Sequence, residues 1–312
     1  MADRNWWPIG ERGRPSAELA EHLFDVAALH ARRAVLTATA AEPIQLLDAA
    51  TSVGAAIELI AKAAVATVEP SLIAGHSDAS PTRTILLLRG DLERAAGWSL
   101  ARDIRTVPAK TAVLIASEVH QSLTTTPKAV ALPFAVRNAA LHLGIVEPDE
   151  LTEAVAIMAS YTRKVLRALG RDPIAFWSPQ ILPLVTTLLD ARATALEHAA
   201  LAAVARAADE YARTLGRSTD DGTRAVIAAL EVQQPPHEVY AVTQTCPACG
   251  NDGWVVIDMG VEVEYSPDGP SDLFTYPYIA GFVCNVCRLN LESEAFPFVG
   301  LDEVSIWQAT QD

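Results

Sequence analysis

The sequence has little cysteine, few aromatic residues and, over its last quarter, almost no positive charge. Four of the 312 residues are cysteine, and 6% are aromatic. Residues 236–312 contain 12 acidic residues and one basic residue, Arg288, which gives −11, whereas residues 1–235 carry only −3. Because a nucleic-acid footprint is normally basic, the last quarter is a poor candidate for contact with phosphates.

Long apolar runs and targeting signals are also missing from the sequence. No apolar stretch is expected to reach the ~20 residues that are needed to cross a bilayer. The first seven residues, Met1 to Trp7, lack the basic and then apolar layout of a signal peptide. Cysteines in close pairs suit a reducing compartment. We therefore expect a cytoplasmic protein with no membrane partner.

Alanine and leucine dominate the first 230 positions, a composition that favours packed helices. Apolar residues recur there at helical spacing. The predicted helices begin at Ser16 and then cover 44–68, 108–123, 129–143, 149–169, 179–215 (as one or two helices) and 224–232. The expected fold is mainly α, an antiparallel helical bundle followed by further helices and a small C-terminal β domain.

The pattern changes to strand-like alternation near the C-terminus. The predicted strands cover 239–243, 254–257, 261–265 and 278–283. The run Gln233-Gln234-Pro235-Pro236 is the best candidate for a linker. We expect a helical domain over 16–217, a linker over 218–236 and a separate domain over 237–312.

All four cysteines lie in this last domain, as two Cys-x-x-Cys pairs. Cys246 and Cys249 form the first pair, and Cys284 and Cys287 form the second. Two such pairs can complete a tetrahedral site for one zinc ion. Four protein ligands leave no open position, so the expected zinc is structural and not catalytic. The alternative is four buried free thiols.

The C-terminal segment resembles a zinc ribbon, in which Cys-Pro-x-Cys-Gly is a typical first knuckle. The second knuckle departs from the pattern, because Arg288 stands where such knuckles often have glycine. Zinc ribbons commonly contact nucleic acid or protein, and the acidic charge favours a protein partner or an intramolecular brace here. Alternatively, the aromatic side chains of the segment simply form its small core.

A short motif in the predicted 129–143 helix could carry chemistry. Asn138 and His142 lie one turn apart, and Arg137 lies on the other flank of the outward face. Histidine can take up or give a proton near neutral pH, and arginine can hold a phosphate through two N–H donors. These groups meet the needs of RNA cleavage by the 2′-hydroxyl, which requires no metal. A two-fold dimer would supply two copies of each.

The same helix is predicted to have two apolar faces. The stripe expected to face the core consists of Leu132, Val136, Ala139, Ala140 and Leu143. The outward face is expected to contain Phe134 and Leu141. An apolar outward face favours contact with a second subunit.

Arg-Asn-x-x-x-His on a helix, inside an all-helical domain, resembles the HEPN superfamily, whose active members are metal-independent ribonucleases. Residues 55–63 resemble the family's earlier helix with its Glu-x-x-x-Lys pattern, here Glu58 and Lys62. The resemblance spans roughly residues 20–170. It implies a dimer through the 129–143 helix and a composite site. That site would use Arg137, Asn138 and His142, supported by Glu58 and Lys62. Many members have glycine directly after the histidine, whereas here glycine comes one residue later.

Two functions are expected as alternatives. The first is a metal-independent endoribonuclease that binds RNA through its helical domain and acts as a defence or toxin effector. The second is a non-catalytic helical dimer that binds a protein or nucleotide partner, with the zinc ribbon as adaptor. In the second case His142 only caps a helix, and Glu58 and Lys62 form a simple ion pair.

Overall fold

The structure is a computed structural model that describes residues 16–40, 42–75, 106–123, 125–214, 221–233, 240–266, 269–302 and 305–306. Residues 1–15, including the segment from Met1 to Trp7, lie outside the described residues. The α-helices are α1 (Ser16–Thr37), α2 (Pro43–Val68), α3 (Ala109–Val119), α4 (Ala131–Leu143), α5 (Pro148–Ala168), α6 (Pro173–Trp177), α7 (Leu182–Thr214), α8 (Asp221–Glu231) and α9 (Phe296–Val299). The β-strands are β1 (Tyr240–Thr245), β2 (Asp252–Ser266), β3 (Gly269–Val283) and β4 (Asn290–Glu292). The prediction of a mainly α fold that ends in a small β domain is confirmed.

The chain divides into two compact units. The first comprises residues up to Leu189 together with Glu262–Leu273, and the second comprises Asp190–Val261 and Phe274–Asp312. Each unit has its own cluster of buried apolar side chains. The division falls within α7, whereas the sequence predicted a linker over 218–236.

Helix α2 lies at the centre of the first unit. Pro43 occupies its first turn, where the missing N–H costs no helical hydrogen bond. Helices α1, α3, α4 and α5 pack around it. The buried surface of α1 and α2 is rich in alanine, with fully buried examples at Ala27, Ala31, Ala34, Ala49 and Ala50. Such small side chains let helix backbones lie close together, which fits the alanine-rich composition.

Helix α2 is also, among the described residues, the one helix long and apolar enough by composition to cross a membrane. Its most apolar window of 18 residues is 78% buried within the protein. This stretch was not expected from the sequence, in which Glu58 and Lys62 interrupt the apolar residues. The core position of α2 accounts for its apolar composition.

Helix α4 packs against both α2 and α5, and this placement changes the predicted faces. Val136 and Ala140 are buried and Leu141 is exposed, as expected. Phe134 was expected to face outward but is buried, and Leu143 was expected in the core but is 71% exposed. Because α2 and α5 both pack against α4, more of its circumference is buried near its start than one core-facing stripe would bury.

The second unit contains most of a four-stranded sheet with the order β1-β2-β3-β4, and the parts of β2 and β3 within Glu262–Leu273 belong to the first unit. β1 runs antiparallel to β2, with Tyr240 opposite Ile257, and β3 runs antiparallel to β4, with Phe282 opposite Leu291. The two strands predicted over 254–257 and 261–265 form one continuous strand, β2. Asp258, Met259 and Gly260 continue the extended backbone between them.

The C-terminal part of α7 and helix α8 pack with this sheet. Ala207 belongs to the buried cluster of the second unit, and Tyr211, Ile227 and Leu230 pack against it. The predicted linker over 218–236 therefore contains helix α8, while its residues 218–220 and 234–236 lie outside the described residues. The boundary between the two units differs from the predicted linker because residues of α7 and α8 make apolar contacts with the sheet. Sequence composition does not reveal such contacts.

Candidate functional site

Three of the predicted site residues form one ion-paired cluster in the first unit. The carboxylate of Glu58 accepts a hydrogen bond from Lys62 Nζ at 2.6 Å and, through its other oxygen, one from Arg137 Nη1 at 2.8 Å. Lys62 Nζ also donates to Thr106 Oγ1 at 2.8 Å. The helical spacing of Glu58 and Lys62 makes them neighbours on α2, and the packing of α4 brings in Arg137 from 79 residues away.

The cluster is partly shielded from solvent. The side chain of Lys62 is 7% exposed, and those of Glu58 and Arg137 are 25% and 29% exposed. Two cations share one carboxylate, so the cluster carries a surplus of one positive charge. An anion that approaches this face of the first unit therefore meets a favourable field.

A glycine on α2 makes room for the arginine. A Cβ atom added at Gly54 would lie 2.6 Å from Arg137 Cδ and 2.8 Å from Arg137 Cβ, closer than carbon atoms normally approach. The aliphatic stem of Arg137 thus crosses α2 at Gly54 and reaches Glu58 one turn further along. Glycine weakens a helix interior, and its presence here has this packing reason.

The pKa of Glu58 reflects two opposing effects. Burial by itself raises the pKa of this carboxyl, but the charges and hydrogen bonds of Lys62 and then Arg137 outweigh burial and hold the pKa below its usual value. Glu58 is therefore ionised at neutral pH, and the three charges form one interacting network.

Asn138 and His142, the other two predicted site residues, are exposed on α4. His142 lies in the last turn of the helix, which ends at Gly144 in the left-handed conformation, φ 67°. The N–H of Gly144 donates to Ala140 O at 3.1 Å and closes the helix. Among the described residues, neither Asn138 nor His142 bonds to the Glu58 cluster, so within one chain the predicted site is divided between a paired arginine and a solvent-exposed histidine.

The exposed end of α4 is apolar around the histidine. Leu141, Leu143 and Ile145 are 56%, 71% and 52% exposed. Three large, exposed apolar side chains within five positions form a patch of the kind that marks contact surfaces. This end of α4 has the character of a contact surface.

The four cysteines form a compact cluster in the second unit and could bind a metal ion. Their sulfur atoms all lie within 4.8 Å of one another. Cys246 Sγ is 3.5 Å from Cys287 Sγ, and Cys249 Sγ is 3.7 Å from Cys284 Sγ. Four sulfurs placed tetrahedrally at about 2.3 Å from a zinc ion would be about 3.8 Å apart. The donor set and its spacing therefore fit a tetrahedral metal of the zinc type.

The two knuckles have the same backbone design. The N–H of Cys246 donates to Asn251 O at 2.8 Å, and the N–H of Cys284 donates to Leu289 O at 2.9 Å, five residues on in both cases. The residue after the second cysteine is left-handed in both knuckles, with φ 74° at Gly250 and φ 61° at Arg288. Arg288 stands where such knuckles usually have glycine. For a residue with a Cβ atom, this left-handed conformation costs roughly 1–2 kcal/mol.

No family model, curated protein or solved structure matches this chain. The residues and their geometry are therefore what a functional proposal must rest on.

The sequence did not predict two contributors to the Glu58 cluster. Thr106 holds Lys62 from a segment without any recognisable motif, so no sequence signal could have found it. Gly54 did carry a signal, because an isolated glycine in an alanine-rich helix indicates a close approach. Only the packing of α4 reveals that Arg137 is what approaches it.

Proposed function

We propose that the chain is a metal-independent endoribonuclease of the HEPN type that acts as a homodimer. The observation that carries this proposal is the cluster of Glu58, Lys62 and Arg137, which brings residues of two separate predicted motifs into direct contact. Arg137 is followed on the same helix by the exposed Asn138 and His142. Cleavage of a phosphodiester requires both kinds of group at the phosphate, a positive charge and a proton-transferring side chain.

In the proposed reaction, the 2′-hydroxyl of the RNA gives its proton to the His142 imidazole of one subunit. The 2′-oxygen then forms a bond to phosphorus, while the bond from phosphorus to the 5′-oxygen breaks. The second subunit's His142, in its protonated form, gives a proton to that 5′-oxygen. The products are a 2′,3′-cyclic phosphate and a 5′-hydroxyl end, and Arg137 offsets the negative charge that develops on the phosphoryl oxygens.

The helix geometry supports a composite site. Positions five apart on an α-helix are separated by about 140° around the axis, so Arg137 and His142 of one chain point in different directions. Pairing two copies of α4 would bring each histidine toward the other subunit's arginine. The exposed Leu141, Leu143 and Ile145 would supply the apolar part of this interface.

One observation favours a second candidate, a non-catalytic helical dimer that binds a protein or nucleotide partner. Arg137 is already engaged by Glu58 at 2.8 Å, and a paired guanidinium has fewer donors to offer a phosphate. In this alternative, the cluster only fixes α4 on α2.

The two candidates are separated by an RNA-cleavage assay on the purified full chain. His142→Ala and Arg137→Lys remove the proposed chemistry while sparing the fold, since His142 is exposed and lysine can still pair with Glu58. We expect each variant to lose at least 100-fold in cleavage rate. His198→Ala is the matched control, because it removes an exposed histidine from α7.

A wild-type rate equal to that of both variants, with 2′,3′-cyclic phosphate ends absent from the products, would rule out the ribonuclease. Capture of a protein or nucleotide partner by a dimer without any RNA cleavage would establish the alternative.

We also propose that the four-cysteine cluster holds one structural zinc ion. Three of the four cysteines are buried, and four thiolates leave no position for substrate. With −11 over residues 236–312, this region is the least suited to RNA, and a protein partner fits its charge better. RNA is therefore assigned to the helical unit. The paired cysteines favour a cytoplasmic location, and a role as defence or toxin effector would follow from the HEPN resemblance alone.

A further inference from the structure

We propose that the second unit contains a binding site for a phosphorylated small molecule, beside the second cysteine knuckle. A cavity of about 490 Å³ opens between α7 and this knuckle. Its lining residues are Ala203, Arg206, Ala207, Asp209, Glu210, Arg213, Cys287, Arg288, Leu289 and Asn290. The volume lies in the range of cavities that hold small organic ligands.

Three arginines line the cavity, and two of them have no hydrogen-bond or ion-pair partner among the described residues. Arg213 donates to Glu210 Oε2 at 2.9 Å. Over the parts of the chain that the structure describes, Arg206 and Arg288 make no hydrogen bond or ion pair with the protein. Two free guanidinium groups at one cavity provide the forked donors that phosphate oxygens accept.

The charge of the cavity stands out against its surroundings. The second unit has 15 acidic and six basic residues, a net charge of −9. Half of the six arginines line this one cavity, where they exceed the two carboxylates of Asp209 and Glu210. Two of the others are paired elsewhere, Arg192 with Glu294 and Arg224 with Asp221.

The backbone of the second knuckle points to a role for Arg288. The equivalent residue of the first knuckle is Gly250, which adopts the left-handed conformation without strain. Arg288 adopts the same conformation against its preference, at φ 61°. Strained backbone conformations are often found at functional sites, and here the strained residue lines the cavity.

The lining favours an organic phosphate over a bare anion. Ala203, Ala207 and Leu289 form an apolar part of the wall, next to the arginines. Inorganic phosphate would fill only a small part of the cavity, whereas a nucleotide places its phosphates and its organic part in contact with different walls. A nucleoside diphosphate has the size and charge that this arrangement selects.

The test is calorimetric titration of the zinc-loaded full chain with ADP, and separately with inorganic phosphate, at low ionic strength. We expect saturable binding of ADP to the wild type and weaker binding of inorganic phosphate. Arg288→Gly and Arg206→Gln should each weaken ADP binding about tenfold or more, since each removes charge-assisted hydrogen bonds. Arg224→Gln, an exposed arginine on α8 outside the cavity, should bind ADP like the wild type.

Zinc content and far-UV circular dichroism of every variant show whether fold and metal are retained. Arg206 is exposed on a helix surface, so Arg206→Gln keeps the test valid even if a change in the knuckle disturbs the metal. The proposal is overturned if the wild type gives no saturable heat with ADP, if both cavity variants bind ADP unchanged, or if Arg224→Gln weakens binding equally. Equal affinity for inorganic phosphate and ADP overturns the assignment of an organic ligand.

Discussion

Arg288 and Gly250 occupy equivalent positions in two knuckles of the same backbone design, and they differ in conformational cost. Glycine adopts a positive φ freely, whereas a residue with a Cβ atom is strained there. Arg288→Gly should relieve that strain, although glycine also gains freedom in the unfolded chain. We expect a net stabilisation of about 0.5–1 kcal/mol, measured by denaturant unfolding of the zinc-loaded protein. Gly250→Ala is the reciprocal control and should destabilise by a similar amount.

Gly54 is the reverse case, a glycine that cannot become alanine without a clash. In an ordinary helix interior, Gly→Ala stabilises by up to about 1 kcal/mol. At Gly54 the added Cβ would meet the stem of Arg137 at 2.6 Å. We expect Gly54→Ala to destabilise by about 1–3 kcal/mol, as overpacked cores do. Gly222→Ala, at an exposed position of α8, should be neutral or stabilising, and equal gains at both positions would contradict the packing argument.

The stabilisation that the Glu58 cluster provides should depend on pH through the Glu58 carboxyl group. Because its pKa is lowered in the folded state, its contribution to stability is complete above the unfolded pKa of about 4.3 and is lost as pH falls through the folded value. Glu58→Gln removes this contribution and leaves the buried Lys62 without its carboxylate. We expect a loss of about 2–4 kcal/mol at pH 7 that shrinks as pH falls below about 4. Urea unfolding of both proteins from pH 3 to 7 checks this. A difference that is independent of pH would show that charge is not its cause.

The candidate site could be predicted from sequence in its residue types but not in its pairing. The resemblance to a Glu-x-x-x-Lys pattern identified Glu58 and Lys62, and their spacing makes them neighbours, because they lie one turn apart on the same helix. The contact of Glu58 with Arg137 depends on how α4 packs on α2, and local pattern does not determine that. The proximity of the four cysteines was predictable, because two Cys-x-x-Cys pairs are the pattern of thiolates that can reach one ion.

At the scale of elements, the exposed end of α4 has consequences for assembly. If this end forms the dimer interface, Leu143→Glu would place like charges opposite each other across the two-fold axis. Such a juxtaposition costs several kcal/mol, so we expect the dimer dissociation constant to rise on the order of 100-fold in sedimentation or light scattering. Leu36→Glu, at a comparably exposed position of α1, should leave the dimer unchanged. A monomeric wild type would contradict both this interface and the composite site.

Element boundaries were predictable where proline or glycine fixed them. Pro43 and Pro148 begin α2 and α5, and Gly144 ends α4, as their backbone preferences predict. Helix α3 ends at Val119, although its apolar pattern continued to 123. Strand β2 runs through Gly260, which the sequence presented as a break. Glycine has a low preference for strands. Pairing with neighbouring strands can nevertheless keep it extended, so the tertiary structure overrides the local preference.

At the scale of the whole molecule, the chain contains two buried apolar clusters with different means of support. The first is built from many helices, and its size suffices for a stable core. The second is smaller and includes Cys246, Cys284 and Cys287 among its buried members. If these cysteines hold the proposed zinc ion, the small sheet would depend on it, because the site does not exist in the unfolded chain and metal binding would contribute directly to folding.

Removal of the proposed zinc ion should therefore unfold the sheet and spare the helices that pack around α2. We expect one zinc ion per chain and, after chelation, loss of hydrogen-exchange protection over β1–β4, while α2 keeps its protection. The change should be large, because structural zinc contributes about 10–16 kcal/mol of apparent binding free energy in small domains. Protection of 221–231 and of the C-terminal part of α7 should fall together with the sheet, since Ala207, Ile227 and Leu230 pack in the same cluster. If residues 190–231 instead keep their hydrogen-exchange protection without metal, the sheet unfolds independently of these helices. That result would support the domain boundary that the sequence predicted at 218–236.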